Sequence, residues 1–395
     1  MWMAIAYSWH ILAAKALTLS VLAFLASLMF VAVLIPLASQ MGLVDHPNKR
    51  KIHAGPMPAI GGLAIAFSVL PLAMFAMPSD RPLLALVAAS VLLLTEGVLD
   101  DIYDLRWIYR LCAHASAALV LVYYGGVKVD FIGAAFGIWN YHQLGALAMP
   151  FTVLATTGLI NALNMIDGVD GLAGSVTTVT LAMLACAGLY VGNVEVATLA
   201  IIQIGAVGGF LAFNMRSPWN RSAKTFLGNA GSEFLGLFIA WCCFRLTQTS
   251  FHPVAPVLAP FLFSVPVLDC LVLMAHRMRR GRSPFAADRD HLHHLLIDGG
   301  FSVSGAIAVI VGASLVIGLL AAVALLWHVP EPYFIVAFVG LLAAHFAFTN
   351  DRERAVSILA GVAALLHASD RGYLAQVWMV ANAKEPATKP PHAAE

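Results

Sequence analysis

The sequence predicts an all-α, polytopic transmembrane helical bundle of about eleven spans, and three observations carry that expectation. Of 395 residues, 61% are hydrophobic and only 11% are charged. The mean hydropathy of +0.85 lies well outside the range of a soluble domain. The apolar residues are gathered into runs long enough to cross about 30 Å of hydrocarbon. Helices satisfy their own backbone in lipid at such lengths, so the spans are expected to be helical.

The runs fall near 12–38, 58–78, 82–99, 107–125, 144–163, 172–192, 195–214, 230–248, 255–276, 303–328 and 332–349. The first is too long for a signal peptide, and further runs follow it instead of a small-residue cleavage site and a soluble domain. Between the fourth and fifth, VDFIGAAFGIWN (Val129 to Asn140) is too short and glycine-broken to span, and a hairpin is expected there. Asn193 separates one closely spaced pair of runs and Pro330 another. Residues 1–350 therefore read as one transmembrane domain. Residues 351–395 carry a short apolar run from Val356 to Leu366, expected to be an interfacial helix, and a Pro/Ala/Lys tail expected to be disordered. All five cysteines (Cys112, Cys186, Cys242, Cys243, Cys270) fall inside predicted spans and read as small apolar fillers.

Orientation follows from the cations. With the N-terminus outside, the inner loops hold Lys49, Arg50, Lys51, Arg106, Arg110, Arg216, Arg221, Lys224, Arg277, Arg279, Arg280, Arg282, Arg289, Arg352 and Arg354. Only Arg81 and Lys128 remain in the outer loops. The positive-inside rule then predicts a cytoplasmic C-terminus. Four polar islands, whose acids, amides and histidines did not enter the choice of orientation, all land on the same cytoplasmic side.

The first island, LDDIYDL (Leu99 to Leu105), sets Asp100 and Asp101 side by side at the inner end of the third span. Paired carboxylates can bind a hard divalent cation or place a base beside a charged substrate, although a solvated helix end explains the pair alone equally well. The second, NALNMIDGVDG (Asn161 to Gly171), joins Asn161 and Asn164 to Asp167 and Asp170 with glycines between them. A plain loop rarely gathers amides, acids and turn glycines directly at a span end, where polar groups are costly. FLGNAGS (Phe226 to Ser232) is the third. The fourth, DRDHLHH (Asp288 to His294), follows a basic run and offers Arg289, His291, His293 and His294. Three histidines suggest zinc, but no cysteine lies nearby and the other islands are oxygen-rich, so imidazoles facing a pyrophosphate fit better. On a continuous helix His291 and His294 would share a face and His293 would point elsewhere. The first inner loop adds Lys51 and His53 among prolines and glycines, cations suited to phosphate.

Together these motifs resemble the polyprenyl-phosphate N-acetylhexosamine-1-phosphate transferase family, in order, over most of residues 41–301. The SPFAADRDHLHHLL segment is more similar to the GlcNAc-1-phosphate branch than to the peptidoglycan-synthesis branch. The resemblance implies a bundle of ten or eleven helices in the bacterial cytoplasmic (inner) membrane, with its active site on the cytoplasmic face. It implies transfer of GlcNAc-1-phosphate from UDP-GlcNAc to undecaprenyl phosphate, releasing UMP, as the first membrane step of a cell-surface glycan pathway. It implies Mg2+ or Mn2+ as cofactor. The implied catalytic residues are Asp100, Asp101 and His291. Lys51, His53, Asn161, Asp167, Asp170, Arg289, His293 and His294 would bind substrate, and Asp101, Asn164 and Asn229 would lie at the metal. UDP-GlcNAc, undecaprenyl phosphate and membrane lipid are the implied partners, a homodimer is left open, and nucleic acid is not expected.

One position departs from the family pattern. Where a GDxGS-type segment supplies a ligating aspartate, this chain has Asn229. The amide keeps an oxygen but loses the charge, so weaker Mg2+ binding is expected unless Glu233, one turn on, compensates. Asp269, beside Pro266 inside the ninth run, reads as a second, unpaired intramembrane acid. Other readings kept open are a related transferase using another UDP-sugar, an inactive metal-weakened variant, and a lipid or sugar transporter. A transporter's acids should sit at mid-membrane in repeated halves, and no internal repeat is evident here.

Overall fold

The computed structural model describes residues 2–45, 55–137, 143–218, 220–248, 254–286 and 288–366, with side chains from Ala13 onward. Lys51 and His53 lie outside the described residues, as does the tail from residue 367. The chain runs α1 (Trp2–Leu37), β1 (Val44–Asp45), β2 (Met57–Pro58), α2 (Gly61–Ala76), α3 (Arg81–Tyr103), α4 (Trp107–Tyr123), α5 (Ala148–Ile166), α6 (Leu172–Tyr190) and α7 (Val194–Asn214). It continues through α8 (Gly228–Thr247), α9 (Ala259–Leu262), α10 (Ser264–Arg279), α11 (Leu292–Asp298), α12 (Val303–Leu326), α13 (Glu331–Thr349) and α14 (Arg352–Leu366). The two short strands pair antiparallel, Val44 opposite Pro58 and Asp45 opposite Met57.

The protein is predominantly helical, as its composition predicts. Among the described residues, eight helices are long and apolar enough to cross a membrane. The α9–α10 pair adds a ninth candidate, while α2 and α4 are apolar but short, at 16 and 17 residues. Each of the eleven apolar runs is thus helical, but the ninth is not one straight rod. It bends by 85° at Phe263. Pro266 explains the break, because it has no N–H to give the carbonyl of Leu262 and its ring crowds that turn. Thr180 Oγ1 donates to the Leu262 carbonyl at 3.1 Å, so the freed acceptor is satisfied inside the bundle.

Helix starts follow local chemistry. Asp80, Asn193 and Ser302 cap α3, α7 and α12 by accepting from the N–H groups of Leu83, Val196 and Gly305. The expected hairpin at 129–140 is seen in part: Phe131 bridges antiparallel to Gln143, and residues 138–142 lie outside the described residues. The helix expected from Val356 begins earlier, at Arg352, and packs on α11. All five cysteines are free, Cys112 and Cys186 exposed and the rest buried.

α8 is the axis of the fold. Its hydrophobic window is 94% buried, against 11% for α13 at the periphery. Such burial is possible because α8 meets its neighbours through small residues. A Cβ on Gly62 of α2 would overlap the Gly231 backbone, and one on Gly97 of α3 would overlap Ala230. On Gly236 a Cβ would come within 2.6 Å of Ile160 Cα in α5. These contacts draw the ends of α3 and α5 to the first turn of α8, which is where three of the four polar islands lie.

Candidate active site

At the end of α3, Asp100 is buried and Asp104 closes the helix in the left-handed region (φ 52°). Asp100 Oδ1 accepts from the Leu105 N–H at 2.7 Å, and its Oδ2 lies 3.4 Å from Arg110 Nε. Asp101 reaches across to α8. Its Oδ1 accepts from the Asn229 N–H at 2.9 Å and its Oδ2 from the Ala230 N–H at 3.5 Å. One helix therefore supplies the cap of another, and the partial positive charge of the α8 N-terminus falls on Asp101. Gly228 permits the approach: it sits at φ +77°, and a Cβ there would be 2.7 Å from Asp101 Oδ2.

The amides bind this junction to α5. Asn164 Nδ2 donates to Asn229 Oδ1 and to Ser232 Oγ, both at 2.9 Å. Its Oδ1 accepts from Arg110 Nη2. Asn161, one turn below, is engaged elsewhere: its Nδ2 donates to the Thr157 carbonyl at 2.8 Å and lies 3.3 Å from His114 Nδ1. Asp167 follows the last residue of α5. Burial, followed by the charges of Asp101 and Asp170, pushes its carboxyl up to about 7, so several acids crowd one space. Asp170 is tied down by Arg216, whose Nε donates to Oδ2 at 2.8 Å.

The histidine island joins the same place. A Cβ on Gly168 would be 2.5 Å from His293 Nε2, so the glycine between Asp167 and Asp170 is what lets the imidazole approach. His291 is not in the helix but stands at its N-cap position, with extended backbone (φ −61°, ψ 145°) and no capping bond from its own side chain. The expectation that His293 points away from its neighbours is therefore corrected. The rings of His291 and His293 lie 5.2 Å apart, and those of His293 and His294 4.3 Å. His293 is buried and neither ring nitrogen has a hydrogen-bond partner. Burial, with His294 and His291 beside it, lowers its pKa to about 3, so the ring is neutral and able to accept or donate. Burial and Arg289 likewise lower His294. Arg289 itself is exposed and 3.9 Å from Asp298.

Asp269 is not the unpaired acid expected. Its Oδ2 lies 2.9 Å from His291 Nδ1, and its Oδ1 accepts from the Leu292 N–H at 3.1 Å and faces His345 Nε2 at 3.4 Å. The carboxylate thus fixes the orientation of His291 and leaves Nε2 turned away from it. Asp288 and Asp290 anchor the island to α10 through Arg277 at 2.6 Å and Arg280 at 2.7 Å. Burial works to raise the Asp288 carboxyl, but the Arg277 hydrogen bond and charge hold it below its ordinary value. Trp107 stacks on Phe285 at 4.9 Å and joins the same loop to α4.

Arg110 escaped the sequence reading, where it counted only as an inner-loop charge. Its signal was position: a cation one turn inside the apolar run of α4 needs acids or amides opposite it. Here it touches both Asp100 and Asn164.

A helical bundle that draws carboxylates, amides and imidazoles to one set of helix ends defines a membrane-embedded enzyme for anionic substrates. The model of the family described as Glycosyl transferase family 4 matches residues 83–247. The chain is 32% identical to the undecaprenyl-phosphate alpha-N-acetylglucosaminyl 1-phosphate transferase of Escherichia coli (strain K12) over 336 residues, 84% of this chain and 89% of that protein. The protein of the same name from Haemophilus influenzae is 33% identical over 80% of this chain and 88% of its own length, and that from Yersinia pestis 31% identical over 75% and 81%. The chain belongs to this family of membrane glycosyl-1-phosphate transferases, as its motifs suggest, and it is an enzyme.

Proposed function

We propose that this enzyme transfers GlcNAc-1-phosphate from UDP-GlcNAc to undecaprenyl phosphate, giving undecaprenyl-diphosphate-GlcNAc and UMP. The observation that carries the reading is the meeting of Asp101, Asn164, Asn229 and Asp167 at the first turn of α8, with His293 against Gly168. A soluble nucleotide diphosphate needs donors such as these imidazoles. A phosphate on a lipid needs an apolar approach, and Leu99, Ile102, Tyr103, Trp107 and Ile108 are exposed around the aspartate pair. In the topology we favour, eleven helices cross or enter the bacterial cytoplasmic membrane, the N-terminus is outside, and the site faces the cytoplasm, where UDP-sugars are found.

The reaction is a displacement at the β-phosphorus of the donor. An oxygen of the lipid phosphate forms the new P–O bond, the bridge to UMP breaks, and UMP carries away the electron pair. Asp100, at the lip of α3, takes the proton of the lipid phosphate. His293 and His294 hold the diphosphate, and Asp269 keeps His291 in the orientation that serves it. Arg110 ties Asp100 to Asn164, so base and amide keep one geometry.

The donor set fits a hard divalent cation. The mutual repulsion that raises Asp167 is what Mg2+ or Mn2+ would relieve, and Asp101 with Asp167 would hold it. The oxygens of Asn164 and Asn229 already accept hydrogen bonds, so each has one remaining lone pair to offer. The cation, when bound, screens the two anions and the leaving UMP. Incubation of the purified protein with undecaprenyl phosphate, Mg2+ and either UDP-GlcNAc, UDP-GalNAc or UDP-MurNAc-pentapeptide tests the proposal. Release of UMP with a lipid-linked product, fastest with UDP-GlcNAc, supports it. Release of UDP, or no product from any donor, overturns it.

A further inference from the structure

Behind Asp100, on the far side of Arg110, three side chains that the proposed reaction leaves unused face one another. They are Glu96 of α3, His114 of α4 and Glu233 of α8, and one ligand-type atom from each lies within 4.8 Å of the other two. His114 Nε2 is 3.2 Å from Glu233 Oε1. Glu233 is fully buried at 0% exposure and His114 at 1%. Apart from one another, neither oxygen of Glu233, neither oxygen of Glu96, nor His114 Nε2 has a hydrogen-bond partner. Such groups are costly to leave unsatisfied in a bundle interior.

The charges do not balance either. Arg110 Nε lies 3.7 Å from Glu233, but it is also 3.4 Å from Asp100 and its Nη2 is committed to Asn164. One guanidinium therefore answers to both Asp100 and Glu233, with Glu96 beside them, and the three carboxyls cannot all stay charged in this interior without a further cation or a shared proton. We propose that Glu96, His114 and Glu233 hold a first-row transition-metal dication, of the Zn2+ or Mn2+ class, at a site separate from the Asp101–Asp167 pair. The donor set decides the class: an imidazole nitrogen with two carboxylates suits these ions, whereas Mg2+ prefers oxygen and water. The outer ring nitrogen, Nδ1, already faces the Asn161 amide. That contact is made by the Asn161 Nδ2, which also donates to the Thr157 carbonyl, so the amide holds the ring in place from its outer side. Glu233 is then neutralised by the metal, and Arg110 is left to Asp100 and Asn164. The buried cation is in this way a positioning device for the reaction centre.

The test uses the full-length protein in lipid nanodiscs, stripped by chelator and titrated with Mn2+ in excess Mg2+. The site retains one Mn2+ per chain, and its electron spin echo carries the modulation of a directly bound 14N nucleus. His114→Gln abolishes that modulation, and Glu233→Gln weakens Mn2+ binding by at least about tenfold. The proposal is overturned if the unaltered protein retains no Mn2+ against Mg2+, in which case the two glutamates share a proton. It is equally overturned if the nitrogen modulation persists in His114→Gln, because another histidine then supplies it. The measurement on the unaltered protein decides the matter even where a variant fails to fold, and it requires no turnover.

Discussion

The two halves of the candidate site hold their polar groups by different means. Around Asp101, Asn164 and Asn229 the anchors are backbone N–H groups and amides where α3 and α5 meet the buried α8, packed through glycines. Around His291, His293 and His294 the anchors are ion pairs from a loop, Arg277 to Asp288 and Arg280 to Asp290, with Arg352 reaching Asp290 at 3.5 Å and pairing with Asp298. The first half cannot move without unpacking the bundle. The second rests partly on charges exposed to solvent, where each pair contributes little and is screened by salt. The contrast assigns the acid half to fixed geometry for the chemistry and the histidine half to an adjustable grip on the nucleotide.

The largest expected effect lies in the rigid half. Asp100→Asn and Asp101→Asn each lower kcat by at least about a hundredfold, the usual scale for a positioned acid or base. Near-normal UMP release by both, at matched expression, would return the pair to ordinary surface charge. In the histidine half the loss is smaller and of another kind. His293→Gln keeps a hydrogen-bonding amide but not the ring, and it raises KM for UDP-GlcNAc by about tenfold with less change in kcat. The raised KM grows with ionic strength if the loop is the adjustable half; a salt-independent KM would place both halves on equally fixed supports.

Asn229 offers a gain instead of a loss. Asn229→Asp restores the missing charge beside Asp101 and lowers the Mg2+ concentration for half-maximal activity several-fold. Glu233→Gln leaves the Mg2+ midpoint in place, because Glu233 faces Glu96 and His114. A Mg2+ midpoint indifferent to Asn229→Asp would remove this residue from the metal's surroundings.

The smallest effect is on stability. His293 is held neutral in the fold, with its pKa lowered from 6.5 to about 3. The unfolded chain therefore binds the extra proton first, and stability falls as pH drops below about 6.5 and continues to fall toward 3. Thermal unfolding in detergent across this window shows the decline, and His293→Gln flattens it. An unchanged slope in the variant would mean that the ring is solvated.

Much of this was legible in the sequence because it is local. Apolar runs, the acid pair, NALNMIDGVDG and the histidine island are contiguous, and each sits at a helix end that the runs define. The illegible part depends on partners distant in the chain. Asp269 looked unpaired because His291 and His345 come from other elements, 22 and 76 residues away. Arg110 looked like a topology signal until the fold set it between Asp100 and Asn164. The helix-face argument for the histidines failed because Asp269 accepts from the Leu292 N–H and takes the capping role that starts α11 after His291. Periodicity describes a helix once begun, but not where a side chain from another helix begins it.

The central claim is that the acid half and the histidine half are one site, and a double-mutant cycle on UMP release tests it most directly. Rates are measured for Asp101→Asn, His293→Gln and the two together, with UDP-GlcNAc and undecaprenyl phosphate at fixed subsaturating concentrations. Groups that hold one diphosphate and its cation are coupled, so the loss in the double variant is predicted to fall clearly short of the product of the two single losses. Full multiplication of the two single losses would contradict the claim and place the halves in separate sites.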